Sequence, residues 1–400
     1  MFKGTVIAQI IAVIGSIFLA KIYGSEAYGI FGLYISISSV LIILNTFQLD
    51  NLIVTVKTEY ESKNLMNSLF LISFLTASVT IVIYYLLSLV FVLSFFKINI
   101  ILFSSFASIL LSFNKIHESF FTFSKKFIPI SNAKIFIAIL NISFQLVLFY
   151  EFKLMGLIFG NIISIFLIAI YYFIKNNKSL NKINLLQLKK SIHKNNTIIK
   201  YIFPSTLINS LAINLVPILI ATFFSLKDAG VYFLSIKILA IPLFLISSSI
   251  SQVYYQKSSE MLYHSREKLF FLTKKIVSSN LLIMLIFIIL INTIGIYFLE
   301  LFFDKSWDNL RLYTFILSFL ILARSSFNPI SNIIIVLNKN HIGLLFNIYL
   351  LAVNIIAIYL GYKSDSLKNT IIILSIFGSL GYIVLLTFFM QKLKKLEHDN

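Results

Sequence analysis

Arg324 is one of only three arginines beside thirty lysines, and it stands in an apolar stretch thirteen residues after Arg311 and fifteen before Lys339. At about 1.5 Å per helical residue, its guanidinium lies roughly 20 Å from the outer end of that stretch, near the middle of a bilayer. A cation at that depth costs about 2.5–3.5 kcal/mol unless it meets water or an anion. A planar fork of N–H donors matches the oxygens of a phosphate or diphosphate, so the predicted chemistry is anion binding without bond-making. Lys237 follows Gly230 by seven residues, about 10 Å below the same surface, where snorkelling and ligand binding are equally good readings. Thr5, Gln9, Ala12 and Ser16 fall at i, i+4, i+7 and i+11 and share one helical face, and Thr206, Ser210, Asn214 and Pro217 repeat that face later in the chain. Each polar residue alone is better explained as helix-packing glue, but two matched faces favour a wetted cleft that Gln9 and Asn214 would line. No Asp or Glu falls in the middle of a stretch, which leaves Asp50, at the inner end of the second, as the candidate for coupling to an ion. Lys227 and Asp228 are expected to pair in a solvated loop. The chain has no cysteine, and its five histidines (His117, His193, His264, His341, His398) fall in inward loops or the tail without ligand spacing, so no metal and no cofactor are predicted.

These residues need elements that cross a bilayer to position them. The 400 residues are 59% hydrophobic and 12% charged, with a mean hydropathy of +0.94, more apolar surface than a soluble core can hide. Twelve apolar stretches, from 4–20 and 28–49 through 67–93, 98–113, 201–225 and 312–337 to 342–361 and 370–390, each predict a membrane-crossing helix. The first runs into the second within a few residues and Lys21 closes it, which reads as an uncleaved helix and not a secretory signal. A net charge of +18 would suggest nucleic acid as a partner of a soluble protein. Here 23 of the 33 Lys and Arg fall on the side of Lys3, 8 fall on the other side, and Lys237 and Arg324 lie within stretches. That asymmetry places both termini in the cytoplasm and gives nucleic acid no role.

The most polar segment outside the stretches, 175–200, carries seven lysines and a short amphipathic piece around Leu185, Leu186 and Leu188, suited to rest on anionic headgroups. It reads as a cytoplasmic linker between an N-terminal lobe (1–174) and a C-terminal lobe (201–400), each of six stretches. An offset of 201 aligns Thr5 with Thr206, Ala20 with Ala221, Gly29 with Gly230 and Leu33 with Leu234, and an offset of 214 aligns 123–128 with 337–342. Both patches favour an internal duplication with repeats of the same orientation. The expected fold is therefore all-α: a polytopic membrane protein of twelve helices in two six-helix lobes.

The segment 18–54 (FLAKIYGSEAYGIFGLYISISSVLIILNTFQLDNLIV) resembles the opening helices of the polysaccharide-exporting flippases of the Wzx type, within the multidrug and oligosaccharidyl-lipid exporter superfamily. The resemblance rests on Ala20, Lys21, Gly24, Tyr28 and Gly29 in the first loop, then on Asp50 and the residues up to Ile53. Lys21 stands where relatives usually have Arg. Gln48 replaces an expected Arg, which removes a phosphate ligand from the second span. The resemblance implies MATE-like lobes around a central cavity, undecaprenyl diphosphate-linked oligosaccharide (an O-antigen or capsule repeat unit) as substrate, and alternating access in the bacterial inner membrane. Membrane lipids, a polysaccharide polymerase and a chain-length regulator are the implied partners, with proton or sodium coupling.

Residues and resemblance together predict a flippase in which Arg324, Lys237 and Lys21 neutralise a diphosphate, Asn214 and Gln9 meet the glycan, and Asp50 couples an ion. A drug or cation exporter of the same superfamily would need buried acids in the first or seventh span, and neither has one. A membrane-embedded polysaccharide polymerase or transferase would need acid–base groups or a sizeable outer domain, and the longest outer loop, 300–311, is about a dozen residues. The chain is therefore expected not to be an enzyme.

Overall fold

The computed structural model describes residues 2–90, 95–176, 183–264 and 266–398. The end of the third predicted stretch (91–93) and part of the basic linker (177–182) lie outside them. Every regular element among the described residues is helical, as lipid requires of a chain that must satisfy each backbone group within its own segment. In chain order the helices are α1 (Phe2–Thr46), α2 (Asp50–Thr55), α3 (Glu59–Val90), α4 (Phe95–Phe123), α5 (Phe127–Phe152), α6 (Gly156–Lys175), α7 (Leu185–Lys194) and α8 (Phe203–Phe223). They continue as α9 (Leu226–Leu239), α10 (Ile241–His264), α11 (Arg266–Leu290), α12 (Ile296–Phe302), α13 (Leu310–Phe327), α14 (Ile333–Val336), α15 (Asn340–Lys363) and α16 (Leu367–His398).

Nine stretches among the described residues are long and apolar enough to cross a membrane, which makes the chain a multi-pass membrane protein. Two of them are long enough for two crossings. Gly4–Thr46 (43 residues) is broken at Gly24, whose φ of 76° and ψ of 173° suit only a residue without Cβ. Phe127–Lys175 (49 residues) is broken by the tight turn Lys153–Met155. Exposure along the start of α1 follows the helical period: Ile7, Ile10, Ile14 and Phe18 are exposed, while Gly4, Ala8, Gly15 and Leu19 are buried. The 201-residue offset carries Gly24 onto Ser225, the residue that caps α9 after α8 ends, so the same register breaks a helix in both halves.

The chain divides into two compact units, Met1–Tyr23 with Ala27–Ile218 and Gly24–Glu26 with Leu219–Asn400. The division falls inside α8, beyond the basic linker where the lobes were expected to part. The core of the first unit joins Leu52 and Ile53 of α2, Leu65 and Leu69 of α3, Phe121 of α4, Tyr172 of α6 and Leu188 of α7, which binds the linker's amphipathic piece into this unit. Helices α5 and α6 meet at Gly160, where a Cβ would come within 2.7 Å of the backbone nitrogen of Gln145. The Gln145 amide donates to the Leu157 carbonyl (2.8 Å) and seals that approach.

Two predicted boundaries are corrected. The fourth stretch, expected to end at 113, belongs to a helix that runs to Phe123, so Lys115, His117 and Glu118 lie on α4 and not in a loop. Polar residues ended the apolar run there, yet Ser112, Asn114 and His117 are buried between helices. The tenth stretch, expected as one helix over 312–337, stops at Phe327 and resumes as the short α14.

Candidate functional site

Two prolines shape the charged part of the second unit. Pro329 has no N–H for the carbonyl of Ser325 four residues back, so α13 stops and the chain passes through the tight turn Asn328–Ile330. Asn280, buried on α11, donates its side-chain amide to that carbonyl instead. Pro242 stands in the first turn of α10, just beyond the end of α9 at Leu239. Arg324 and Lys237 each precede a proline by five residues, in the last turn of α13 and of α9. Unfinished carbonyls at such an end favour a cation by about 0.3–1 kcal/mol. This repeated cation-to-proline spacing was present in the sequence and is the signal that links the two positions. Helices α9 and α13 pack together, and the hydroxyls of Ser235 and Thr314 meet between them (3.3 Å).

Arg324 is half-buried, and its Nε is sealed from solvent with no hydrogen-bond partner among the described residues. None of the ion pairs among the described residues includes it. The buried Tyr232 of α9 and Tyr382 of α16 lie within electrostatic reach of the guanidinium. Lys237 is half-buried on the helix that carries Tyr232. Lys227, expected to pair with Asp228, instead donates to the Lys305 carbonyl (3.4 Å), while Asp228 accepts from Ser225 (2.7 Å) and Tyr313 (3.4 Å). Ser225 turns its hydroxyl on Asp228 because it caps α9, which takes the acid away from the neighbouring lysine.

The other expected site residues belong to the first unit. Lys21 is exposed on α1, and Gln9 is half-buried one turn beyond Thr5, whose hydroxyl accepts from Lys134 of α5 (3.4 Å). Asn214 donates to the carbonyl (2.9 Å) and hydroxyl (3.1 Å) of Ser210 one turn back, so its amide serves its own helix. Asp50 is buried at the start of α2, with the Lys115 ammonium 3.1 Å from Oδ1, an ion pair by distance though not aligned as a hydrogen bond. Lys115 also donates to Gln48 Oε1 (3.3 Å), and Phe47 and Gln48 both hold positive φ where the chain reverses between α1 and α2. The cation missing at Gln48 is thus supplied from α4, but already matched to an acid.

Sequence reasoning did not reach Glu118. It lies on α4 within a stretch long enough to cross the membrane, accepts from the Tyr172 hydroxyl (2.9 Å), and has Lys134 and Lys115 within electrostatic reach. His117, expected in a loop, is buried and stacks on Tyr172 (centroids 6.0 Å apart), with its Nδ1 3.0 Å from the Phe113 carbonyl oxygen. Asp50 and Glu118 therefore lie within reach of lysines on α4 and α5, whereas on α13 Arg311 pairs with Glu300 (3.2 Å) and Arg324 is in no ion pair among the described residues.

The family model described as polysaccharide biosynthesis protein matches residues 18–311. The chain belongs to that family. Among solved structures, this polysaccharide biosynthesis protein is similar to the lipid II flippase MurJ in an inward closed conformation, with a TM-score of 0.74 and 15% identity over 99% of this chain and 89% of that one. It is also similar to a multidrug resistance MATE family transporter of the MOP superfamily in an inward-facing conformation, with a TM-score of 0.70 and 14% identity over 100% and 96% of the two chains. A MOP-superfamily transporter from Pyrococcus furiosus, described by the reversed polarity of its binding pocket, follows at a TM-score of 0.61 and 15% identity over 99% and 96%. No curated protein matches. At such identities these likenesses establish the fold alone, one shared with MurJ and the MATE transporter. Within that fold, this family member carries a guanidinium at the carbonyl end of a broken helix.

Proposed function

We propose that the protein translocates undecaprenyl diphosphate-linked oligosaccharide across the bacterial inner membrane by alternating access, without covalent chemistry. The observation that carries the reading is Arg324: a half-buried guanidinium in a membrane-crossing stretch, placed in the last turn of a broken helix, with no carboxylate partner among the described residues. Membership of a polysaccharide biosynthesis family supports a glycan cargo, and a MurJ-like fold supports a lipid-borne one. In this reading Arg324 and Lys237, both in the second unit, neutralise the diphosphate. Counting the two broken stretches as two crossings each and adding α9–α10 gives twelve, with both termini in the cytoplasm.

A drug or cation exporter is the second reading, favoured by the likeness to a multidrug MATE transporter. Charge separates the two, because a cation pump would need an unmatched buried acid where α13 offers a guanidinium. The test replaces the chromosomal copy with Arg324→Ala or Arg324→Lys and measures surface glycan at matched protein levels in the membrane. Loss with Ala and partial retention with Lys is expected. Unchanged glycan with Ala would overturn the role of Arg324, and drug resistance lost in its place would favour the exporter.

A further inference from the structure

Helix α7 is fixed on one side and unusually apolar on the other. Leu188 is buried in the core of the first unit. The Asn184 side chain caps the helix by accepting from Gln187 N (3.0 Å), and Asn184 N donates to Ser68 Oγ (3.2 Å). Gln187 accepts from Asn64 (3.1 Å) and donates to the Glu61 carbonyl (3.4 Å). Against this anchored side, Ile183 and Leu185 are each 53% exposed and Leu186 is 75% exposed.

The order of these contacts gives α7 a direction. Ser68 lies where the apolar run of α3 begins, whereas Asn64 and Glu61 approach its charged start at Glu59, so α7 runs from the apolar part of α3 toward its charged end. The exposed apolar residues come first. Lys189, Lys190 and Lys194, all exposed, follow within about 12 Å of Leu186. Of the acids at the start of α3, Glu59 is engaged by Lys63 at 2.9 Å and the Glu61 carboxylate accepts from the backbone N–H of Lys57 (3.3 Å), and none of the ion pairs among the described residues includes an α7 lysine. Apolar side chains below and cations above match the boundary of an anionic leaflet in both polarity and charge.

We propose that α7 is seated in anionic phospholipid on the lysine-rich face of the membrane, with Leu185 and Leu186 at the hydrocarbon edge and Lys189, Lys190 and Lys194 on headgroup phosphates. Because Leu188 belongs to the core, lipid charge then stabilises the first unit itself. This inference does not depend on the cargo.

The experiment uses the single tryptophan. The full chain with Trp307→Phe and Leu186→Trp is reconstituted in vesicles of phosphatidylglycerol or phosphatidylcholine carrying brominated acyl chains. Fluorescence quenching several-fold stronger in phosphatidylglycerol is expected, and replacing Lys189, Lys190 and Lys194 by Gln should remove that preference. Equal quenching in the two lipids overturns the proposal. So does a reporter open to aqueous iodide, which marks a solvated face, or one shielded from both bromine and iodide, which marks a protein partner. Should Trp307→Phe not accumulate, thermal unfolding of the wild-type chain is compared in nanodiscs of each lipid. A higher midpoint in phosphatidylglycerol that the triple Gln variant loses supports α7 as the anchor, and identical midpoints overturn it.

Discussion

The two units treat buried charge in opposite ways. In the first, Asp50 faces Lys115 at 3.1 Å, Glu118 accepts from Tyr172, and Lys134 reaches Thr5, so cations and acids lie within reach of one another on α2, α4 and α5. In the second, Arg324 stands at the end of a helix broken by Pro329, near tyrosines and in no ion pair among the described residues. The 201-residue offset sharpens the contrast: Lys237 corresponds to Ser36, a buried serine on an unbroken part of α1. In the second unit, Arg324 and Lys237 each stand in the last turn of a helix five residues before a proline, a spacing that Ser36 and its surroundings lack. A matched pair is a structural solution to burial, whereas an unmatched cation lowers stability and suits an anion that arrives from outside.

That contrast breaks if Arg324 proves dispensable. Arg324→Ala is expected to abolish surface glycan without depleting the protein from the membrane, the largest effect of the set. Next comes Asp50→Asn, which strands the Lys115 ammonium. With Lys115 partly exposed (29% of its side chain), a loss of about 2–3 kcal/mol in thermal unfolding is expected, less than a fully buried pair would show. Adding Lys115→Met should restore most of it, and a double variant no better than the single would mean the pair is not the unit of stability. Asn280→Ala leaves the Ser325 carbonyl without its donor and should lower stability by about 1–2 kcal/mol, with a smaller change in glycan than Arg324→Ala. Asn214→Ala is expected to do least, below about 1 kcal/mol and with glycan near normal, because its amide bonds within its own helix. A large loss of export there would move the glycan contact onto α8.

Apolar runs were enough to read an all-helical, multi-pass chain, because a membrane-crossing segment announces itself by length and composition. Glu118 was out of reach for a definite reason. A hydropathy reading ends a span at its first polar cluster, but Ser112, Asn114 and His117 are buried against other helices, where hydrogen bonds and ring stacking satisfy them. Asp50 was visible, but its partner was not, since Lys115 is distant in sequence and was counted with a loop. The break at Pro329 was written plainly, yet a twenty-residue apolar window absorbs one proline without a change in sign.

Gly156 and Gly160 carry a mechanical consequence. A Cβ at Gly156 would strike the Tyr23 hydroxyl, that hydroxyl is bonded to the Gln145 carbonyl, and Gly160 rests on the Gln145 backbone. The opening segment of the chain and the α5–α6 hairpin are thereby clamped into a single strut. Any displacement of the opening segment would have to carry the α5–α6 hairpin with it, as one body that ends where Gly24 turns the backbone through angles that other residues resist.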